Sequence, residues 1–595
     1  MPTVTVPQAI ELALQHHRAG RLAEAEAAYR EVLAEEPDHP DIVAAWNNLG
    51  NLLKVSGRLA EAVEAYRRAL ASRPEMIEAR HNLGVALAGM SRWDEAVVEY
   101  QRALELRPGS APTSNHLGNA LRKRNRGAEA IAAYRQALQA QPDYAEAWNN
   151  LGAALMEDGK LEEAEVACRR ALALRPDFPQ AHSNLGNLLR LRGQLDAAAA
   201  ACERALELNP DLVEASSNLG VVRVEQDRVD EAVACYARAL ALDPGFADAH
   251  SNLGVARWLQ GRYADAEGCY RRAIECRSDL ADAHFNFALL LLLLGRFEEG
   301  WQEYEWRWRT AGYGSGTREF AQPRWDGQPA PGKTLLIHAE QGFGDTLLFL
   351  RYVSRVRARS QAARVILECQ RELWPLLVQL RVVGIEVVAR GGTDAALPAC
   401  DLHVPLLSLP LLLEEFAPLP PWNSVLEADA ALRARWREEF REGDGLRVGV
   451  VWAGNPGQRE DRRRSMTPAL LAPILNVPGA RFYSLQVKAD ESVKAQAAEL
   501  GMRELSKTPE NFADTAAILA ELDLVITVDT STAHLAGTLG RPVWVMVPYV
   551  TYWSYGLMEE STPWYPGMRL FRQAGPSDWS GVVERVAEAL RERCA

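Results

Sequence analysis

The chain lacks any apolar run of membrane-spanning length: its most hydrophobic stretch, Phe287 to Leu294, falls far short of the roughly 20 residues needed to cross a bilayer. Its start, MPTVTVPQAIELALQHHRAG, has no basic segment followed by an apolar one, so no secretory leader is expected and a cytoplasmic location is. An excess of positive charge is missing too. With a formal net charge of −13, a general affinity for polyanions is excluded, because phosphate contacts need clustered Lys and Arg, and nucleic acid is not an expected partner. The eight cysteines contain no CxxC pair. Four of them, Cys168, Cys202, Cys235 and Cys269, recur roughly every 34 residues, the spacing expected of buried packing thiols in a reducing compartment rather than of disulfides or metal ligands.

What the chain does have is ordinary folding capacity. Hydrophobic residues make up 48% and charged residues 24%, and 595 residues exceed what one core supports, so two to four folded domains are expected.

Gly50, Gly84, Gly118, Gly152, Gly186, Gly220 and Gly254 stand 34 residues apart, each after a Leu in an NLG or HLG triplet. That period is the signature of the tetratricopeptide repeat. A small residue recurs 12 positions later (Ala62, Ala96, Ala130, Ala164, Ala232, Ala266), where paired helices approach closely, and Pro74, Pro108, Pro142, Pro176, Pro210 and Pro244 close the repeats with a ring that cannot continue a helix. The expected division is an irregular N-terminal repeat or cap over 1–42, seven repeats over 43–280, and a divergent repeat with an aromatic-rich joint (WQEYEWRWR) over 281–332.

The residue two before each glycine is Asn48, Asn82, His116, Asn150, Asn184, Asn218, Asn252 and, in the divergent repeat, Asn286. Asn is a mediocre helix former, and packing two helices does not demand a carboxamide. Projected towards a concave groove, such a ladder could pair with the C=O and N–H of an extended peptide without reading its side chains; alternatively it spaces the repeats. The run resembles the repeat domain of the O-GlcNAc transferases, and that resemblance implies a groove holding an acceptor polypeptide on Asn48, Asn82, Asn150, Asn184, Asn218, Asn252 and Asn286.

From Lys333 short apolar strands alternate with helices: KTLLIHAE, RVILEC, IEVVA and DLHVPL, then LRVGVVWAG, ARFYSLQ, LDLVITVD and PVWVMVP. The pattern predicts two Rossmann-like halves, over 333–425 and 446–595, and hence a fold class of α plus α/β. Ligands of such folds sit at the carboxyl ends of strands. There lie VITVDTSTAHLAGTLGRPVWVMVP (525–548), in which Thr530, Ser531 and Thr532 offer hydroxyls and a helix start offers free N–H groups to a phosphate, and HAEQGFGDTLLFLRYV (338–353), which places Asp345 at a helix start.

Both strings resemble glycosyltransferase family 9, the heptosyltransferase-like enzymes. The resemblance implies a GT-B-like pair of domains, a donor site at Asp529, Thr530, Ser531, Thr532 and His534, and Asp345 as the base that takes the acceptor hydroxyl's proton in an inverting transfer. Three strand-end clusters, WAGNP, DRRRSM and SLQVK, supply Asn455, Arg462, Arg464, Gln486 and Lys488 as further donor-binding candidates, with cations to steady a leaving nucleotide. No DxD carboxylate pair stands beside these strands, so the expected transfer uses a nucleotide-sugar co-substrate and neither metal nor cofactor. Tyr549, Trp553, Trp564 and Tyr565 are placed to stack on sugar or base or to fill a core.

The first half is short for an acceptor domain of that family, and repeats lead directly into it. The expected function is therefore O-linked transfer of a sugar to Ser or Thr of a protein in the repeat groove. The combination resembles bacterial repeat-fused glycosyltransferases, including ones that modify flagellin. The competing readings are a repeat adaptor carrying an inactive transferase-like module, and a transferase of lipopolysaccharide or capsule synthesis.

Overall fold

The 34-residue period becomes helix pairing. In a computed structural model of the protein, which describes all residues except 1–4, 36–38, 40, 311–312, 314–317, 319, 341, 392–397, 422–424, 442, 456, 458–460, 488 and 577, the chain divides into two compact units, 1–245 and 246–595.

The first unit is a run of helix pairs, from Val6–Arg18 with Leu22–Glu35 to Val213–Glu225 with Val229–Leu242. The repeat glycines explain how closely each pair packs. A Cβ on Gly50 would lie 2.6 Å from the buried ring of Tyr66, and a Cβ on Gly84 2.5 Å from Tyr100. Tyr134 faces Gly118 in the same way, whereas the thiols of Cys168 and Cys202 take that place opposite Gly152 and Gly186. Those two cysteines are buried as the sequence suggests; Cys235 and Cys269 stand one residue before the facing tyrosines Tyr236 and Tyr270 and are only half-buried. The first helix of a pair in this unit ends on a left-handed residue, which is Gly at 20, 57, 159 and 193 and Ser91, Asn125 or Asp227 elsewhere, since small polar residues tolerate positive φ best after Gly.

Gly50→Ala is expected to destabilise this unit by about 1–2 kcal/mol, because overpacking against a ring that cannot move outweighs the helix propensity gained. Gly127→Ala, at a helix start with open space around it, is expected to be neutral or mildly stabilising. Thermal melts followed by circular dichroism of the two variants measure the difference.

The second unit begins inside the repeat array. Its helices Ala247–Leu259, Tyr263–Cys276, Ala281–Leu293 and Phe297–Tyr304 are followed by two parallel sheets. The first has strands β1 (Thr334–His338), β2 (Arg364–Cys369), β3 (Glu386–Ala389) and β4 (Leu402–Pro405) in the order β3-β2-β1-β4; the second has β5 (Leu446–Val451), β6 (Ala480–Ser484), β7 (Leu524–Val528), β8 (Val543–Val547) and β9 (Met568–Arg572) in the order β6-β5-β7-β8-β9. Every pairing is parallel. Strand order reverses beside β1 in one sheet and beside β5 in the other, the crevice where open α/β sheets bind ligands.

These helices and the sheets share one core, which is why the unit starts before the sheets do. Trp301 packs edge-to-face against Phe349 (5.6 Å between centroids) and Trp553 (5.4 Å), and its indole N–H donates to the Phe416 carbonyl at 3.0 Å. Trp553, Trp564 and Tyr565 are buried in that core, so they hold the unit together instead of lining a sugar site, and the Tyr549 hydroxyl points back to the Gln260 carbonyl at 3.5 Å. Strand β9 is absent from the sequence expectation, whose strands end with PVWVMVP. No helix among the described residues is long and apolar enough to cross a membrane.

Candidate functional site

Two carboxylates stand at the carboxyl ends of the two sheets. Asp345 lies in the first turn of the helix Phe343–Ser360, which follows β1; Asp529 follows β7, just before the helix Ser531–Thr538. These helices pack on each other with little to spare, since a Cβ on Gly344 would come within 2.9 Å of the His534 ring. That closeness brings the carboxylates near enough for their charges to interact.

One short turn touches both. Tyr552 donates to Asp345 Oδ1 at 3.1 Å, and Tyr555 donates to Asp529 Oδ1 at 2.9 Å. Burial pushes the Asp345 carboxyl up to about 6; the negative charges of Asp529 and Glu340 add to the shift, while the Tyr552 hydrogen bond and the Gly342 N–H oppose it. Asp529 is also raised by burial, against the pull of Arg464 and Tyr555. Arg464 Nη1 lies 4.0 Å from Asp529 Oδ2, and its Nε donates to Asp461 Oδ1 at 3.1 Å. Asp461 is steadied by the Ser465 hydroxyl at 2.9 Å, which accepts from the Gly454 N–H, also at 2.9 Å.

Of the other residues expected at a donor site, Thr530 precedes the helix Ser531–Thr538 with its hydroxyl 2.9 Å from that of Thr527, and Ser531 and Thr532 are partly exposed at the helix start. His534 is buried between the two helices, 3.3 Å from the Tyr565 hydroxyl, and burial holds its imidazole neutral, with a pKa lowered to about 3. It packs between the helices one turn after the partly exposed hydroxyls. Gln486 clasps the Ala453 backbone through both amide atoms, at 3.2 and 3.1 Å, and so shapes the loop after β5. Asn455 is exposed and accepts from the Gly457 N–H at 3.1 Å, and Arg462 is exposed. Lys488 lies outside the described residues.

Glu340, Tyr552, Tyr555 and Asp461 are the site residues that sequence reasoning passes over. Glu340 sits inside the same string as Asp345 and is almost wholly buried. It accepts from Arg307 (Nε at 2.9 Å, Nη2 at 3.1 Å), from the Tyr313 hydroxyl at 2.6 Å and from the Leu407 N–H at 2.9 Å.

The asparagine ladder has an inter-repeat role within the first unit. Asn150 donates to Asn115 Oδ1 at 3.0 Å, Asn184 to Asn149 Oδ1 at 2.8 Å, and Asn218 to the Ser183 hydroxyl at 3.0 Å, each reaching the preceding repeat. Asn82 accepts from Lys54 at 3.3 Å, and Asn48 lies beside the Tyr29 hydroxyl. All are half-buried, as are Asn252 and Asn286 in the second unit. One amide N–H of Asn150, Asn184 and Asn218 is thus used within the array, leaving at most one N–H and the carbonyl of each for a peptide.

Comparisons with known proteins agree with the repeat geometry. Profiles described as tetratricopeptide repeat match residues 10–77, 47–111, 145–178, 179–212 and 218–281, and a further TPR repeat profile matches 118–159. The chain carries a tetratricopeptide-repeat array, an architecture for protein–protein interaction. Protein FlbA of Caulobacter vibrioides is 30% identical over 317 residues, 50% of this chain and 53% of FlbA, so the match spans about half the length of that relative. Among solved structures, a tetratricopeptide repeat protein from Parabacteroides merdae is 18% identical with a TM-score of 0.38, covering 42% of this chain and 98% of that one. The Cut9–Hcn1 hetero-tetramer of APC/C is 17% identical with a TM-score of 0.37, covering 45% and 52%. Likenesses this slight carry no functional argument.

Proposed function

We propose that the protein is a glycosyltransferase that moves a sugar from a nucleotide-sugar donor to Ser or Thr of a protein held by its repeats. The observation that carries this reading is the pairing of Asp345 and Asp529 at the reversal points of two parallel sheets, with Arg464 beside Asp529. Asp345, raised to about 6, suits a general base working near neutral pH: enough of it is ionised to act, and its proton affinity is high enough to draw a hydroxyl proton as the sugar carbon is attacked. The donor's phosphates would lie at the start of the helix Ser531–Thr538, against the Thr530, Ser531 and Thr532 hydroxyls. Arg464 would offset the negative charge that grows on the leaving nucleotide. No metal or cofactor is proposed. The repeats hold the acceptor polypeptide, with the amides of Asn150, Asn184 and Asn218 turned by their inter-repeat hydrogen bonds.

Titration calorimetry with nucleoside diphosphates and their sugars tests donor binding. Arg464→Ala is expected to weaken the best ligand about 10- to 100-fold, the cost of losing one charge-assisted contact. Unchanged affinity in that variant would remove Arg464 from the donor site, and no binding of any nucleotide would remove the site itself.

A further inference from the structure

Asp345 and Asp529 are both held by a single turn of four residues, Tyr552, Trp553, Ser554 and Tyr555. The turn is anchored by its middle: Trp553 is buried against Trp301 at 5.4 Å, Trp564 at 5.2 Å and Phe349 at 6.2 Å between centroids. Arg572 fixes its end by donating to the Tyr555 carbonyl at 2.8 Å. The two tyrosine hydroxyls are therefore presented by a rigid element, one to each carboxylate. A carboxylate at a helix start with only solvent beside it could swing between rotamers; here Oδ1 of Asp345 is pinned.

We propose that Tyr552 is a positioning residue for the base: its hydroxyl holds Asp345 Oδ1 so that the carboxylate keeps one orientation towards an acceptor hydroxyl. This role rests on Asp345 being the base proposed above. Tyr555 has the matching task at Asp529. The hydrogen bond from Tyr552 favours the charged form of Asp345, so its removal raises the pH at which that carboxyl takes up a proton. The groups that face Asp345 are Tyr304 from the last repeat, Glu340 after β1, the Gly342 N–H at its own helix start, Asp529 after β7 and Tyr552 and Tyr565 from the C-terminal segment; Arg464 acts through Asp529, and Arg307 through Glu340. Deleting the Tyr552 oxygen leaves all the others in place.

The test is infrared difference spectroscopy of the full chain across a pH titration, following the carboxyl band that wild type has and Asp345→Asn lacks, with transfer rates measured over the same pH range. Tyr552→Phe is expected to move the midpoint of that band upward by about one pH unit, the scale of a lost hydrogen bond to a carboxylate, and to move the acid limb of transfer with it. Tyr555→Phe is expected to leave the midpoint unmoved or slightly lowered, because a more readily protonated Asp529 repels Asp345 less. An unmoved midpoint in Tyr552→Phe overturns the role of Tyr552 even where Asp345→Asn is inactive. Full transfer by Asp345→Asn overturns the base assignment itself, and this role with it.

Discussion

Asp345→Asn is expected to lower sugar transfer by roughly 10²- to 10⁴-fold, the range a positioned general base contributes, with donor affinity changed by no more than a few fold. The amide keeps the volume of the carboxyl and its hydrogen bond from Tyr552, so the loss falls on proton transfer. The pH dependence carries the same signature. A base must be unprotonated to act, and burial sets the Asp345 carboxyl at about 6, so wild-type activity is expected to fall about tenfold per pH unit below about pH 6. Steady-state rates of both proteins from pH 5 to 8 test this, and the acid limb should be missing from the residual activity of the variant.

The second large effect is on stability. Arg307 is fully buried, between Glu340 and Glu305, with Ser408 Oγ at 2.7 Å, the Tyr304 carbonyl at 3.2 Å and the Trp308 ring 4.5 Å below it. Arg307→Ala leaves the buried Glu340 without its counterion, while Glu305 keeps Arg324, and is expected to cost about 3–5 kcal/mol in the second unit. Arg307→Lys is expected to fall between that variant and wild type, because an ammonium cannot span both carboxylates as the planar fork does. The sign with pH follows from the same charges. Against burial, Arg307 and Arg324 hold the Glu305 carboxyl low; without Arg307 it takes up a proton more readily, so the deficit should be smaller at pH 5 than at pH 8 in urea unfolding followed by tryptophan fluorescence. A deficit that is equal at both pH values would mean that packing, rather than the stranded charge, dominates.

Much of the architecture was legible because it depends on periodicity. The 34-residue spacing fixes where helices pair, and the apolar runs from Lys333 fix eight of the strands close to their observed bounds. Strand β9 was hidden because the two arginines of MRLFR stand three apart, which breaks the alternation of a strand, inside an aromatic-rich stretch, and its partner β8 is recognised only in three dimensions. The repeats also do not stop where their period weakens. Trp301, Tyr304 and Arg307 bind the last repeats into the sheet core, a contact between residues far apart in the chain.

At the candidate site, motif letters picked out Asp345, Asp529, the hydroxyls of Thr530, Ser531 and Thr532, and Arg464, but not the residues that hold the two carboxylates. Tyr552 and Tyr555 are two of several aromatics in PYVTYWSYG, and their spacing does not say which ring is core and which hydroxyl meets a carboxylate; the fold decides that by burying Trp553 between them. His534 shows the converse, a motif residue that the helix turns inward. In the ladder, the regular asparagines conceal bonds that cross from one repeat to the next, because a carboxamide serving a peptide and one serving its neighbour look alike in sequence.

The most direct measurement combines the purified protein, a panel of nucleotide sugars and a lysate from a strain deleted for its gene, with flagellin among the acceptors examined, followed by mass spectrometry of the polypeptides. The account predicts that with one donor a polypeptide gains the mass of a single sugar on Ser or Thr, and that Asp345→Asn does not add it. Failure of every donor to modify any polypeptide would contradict it.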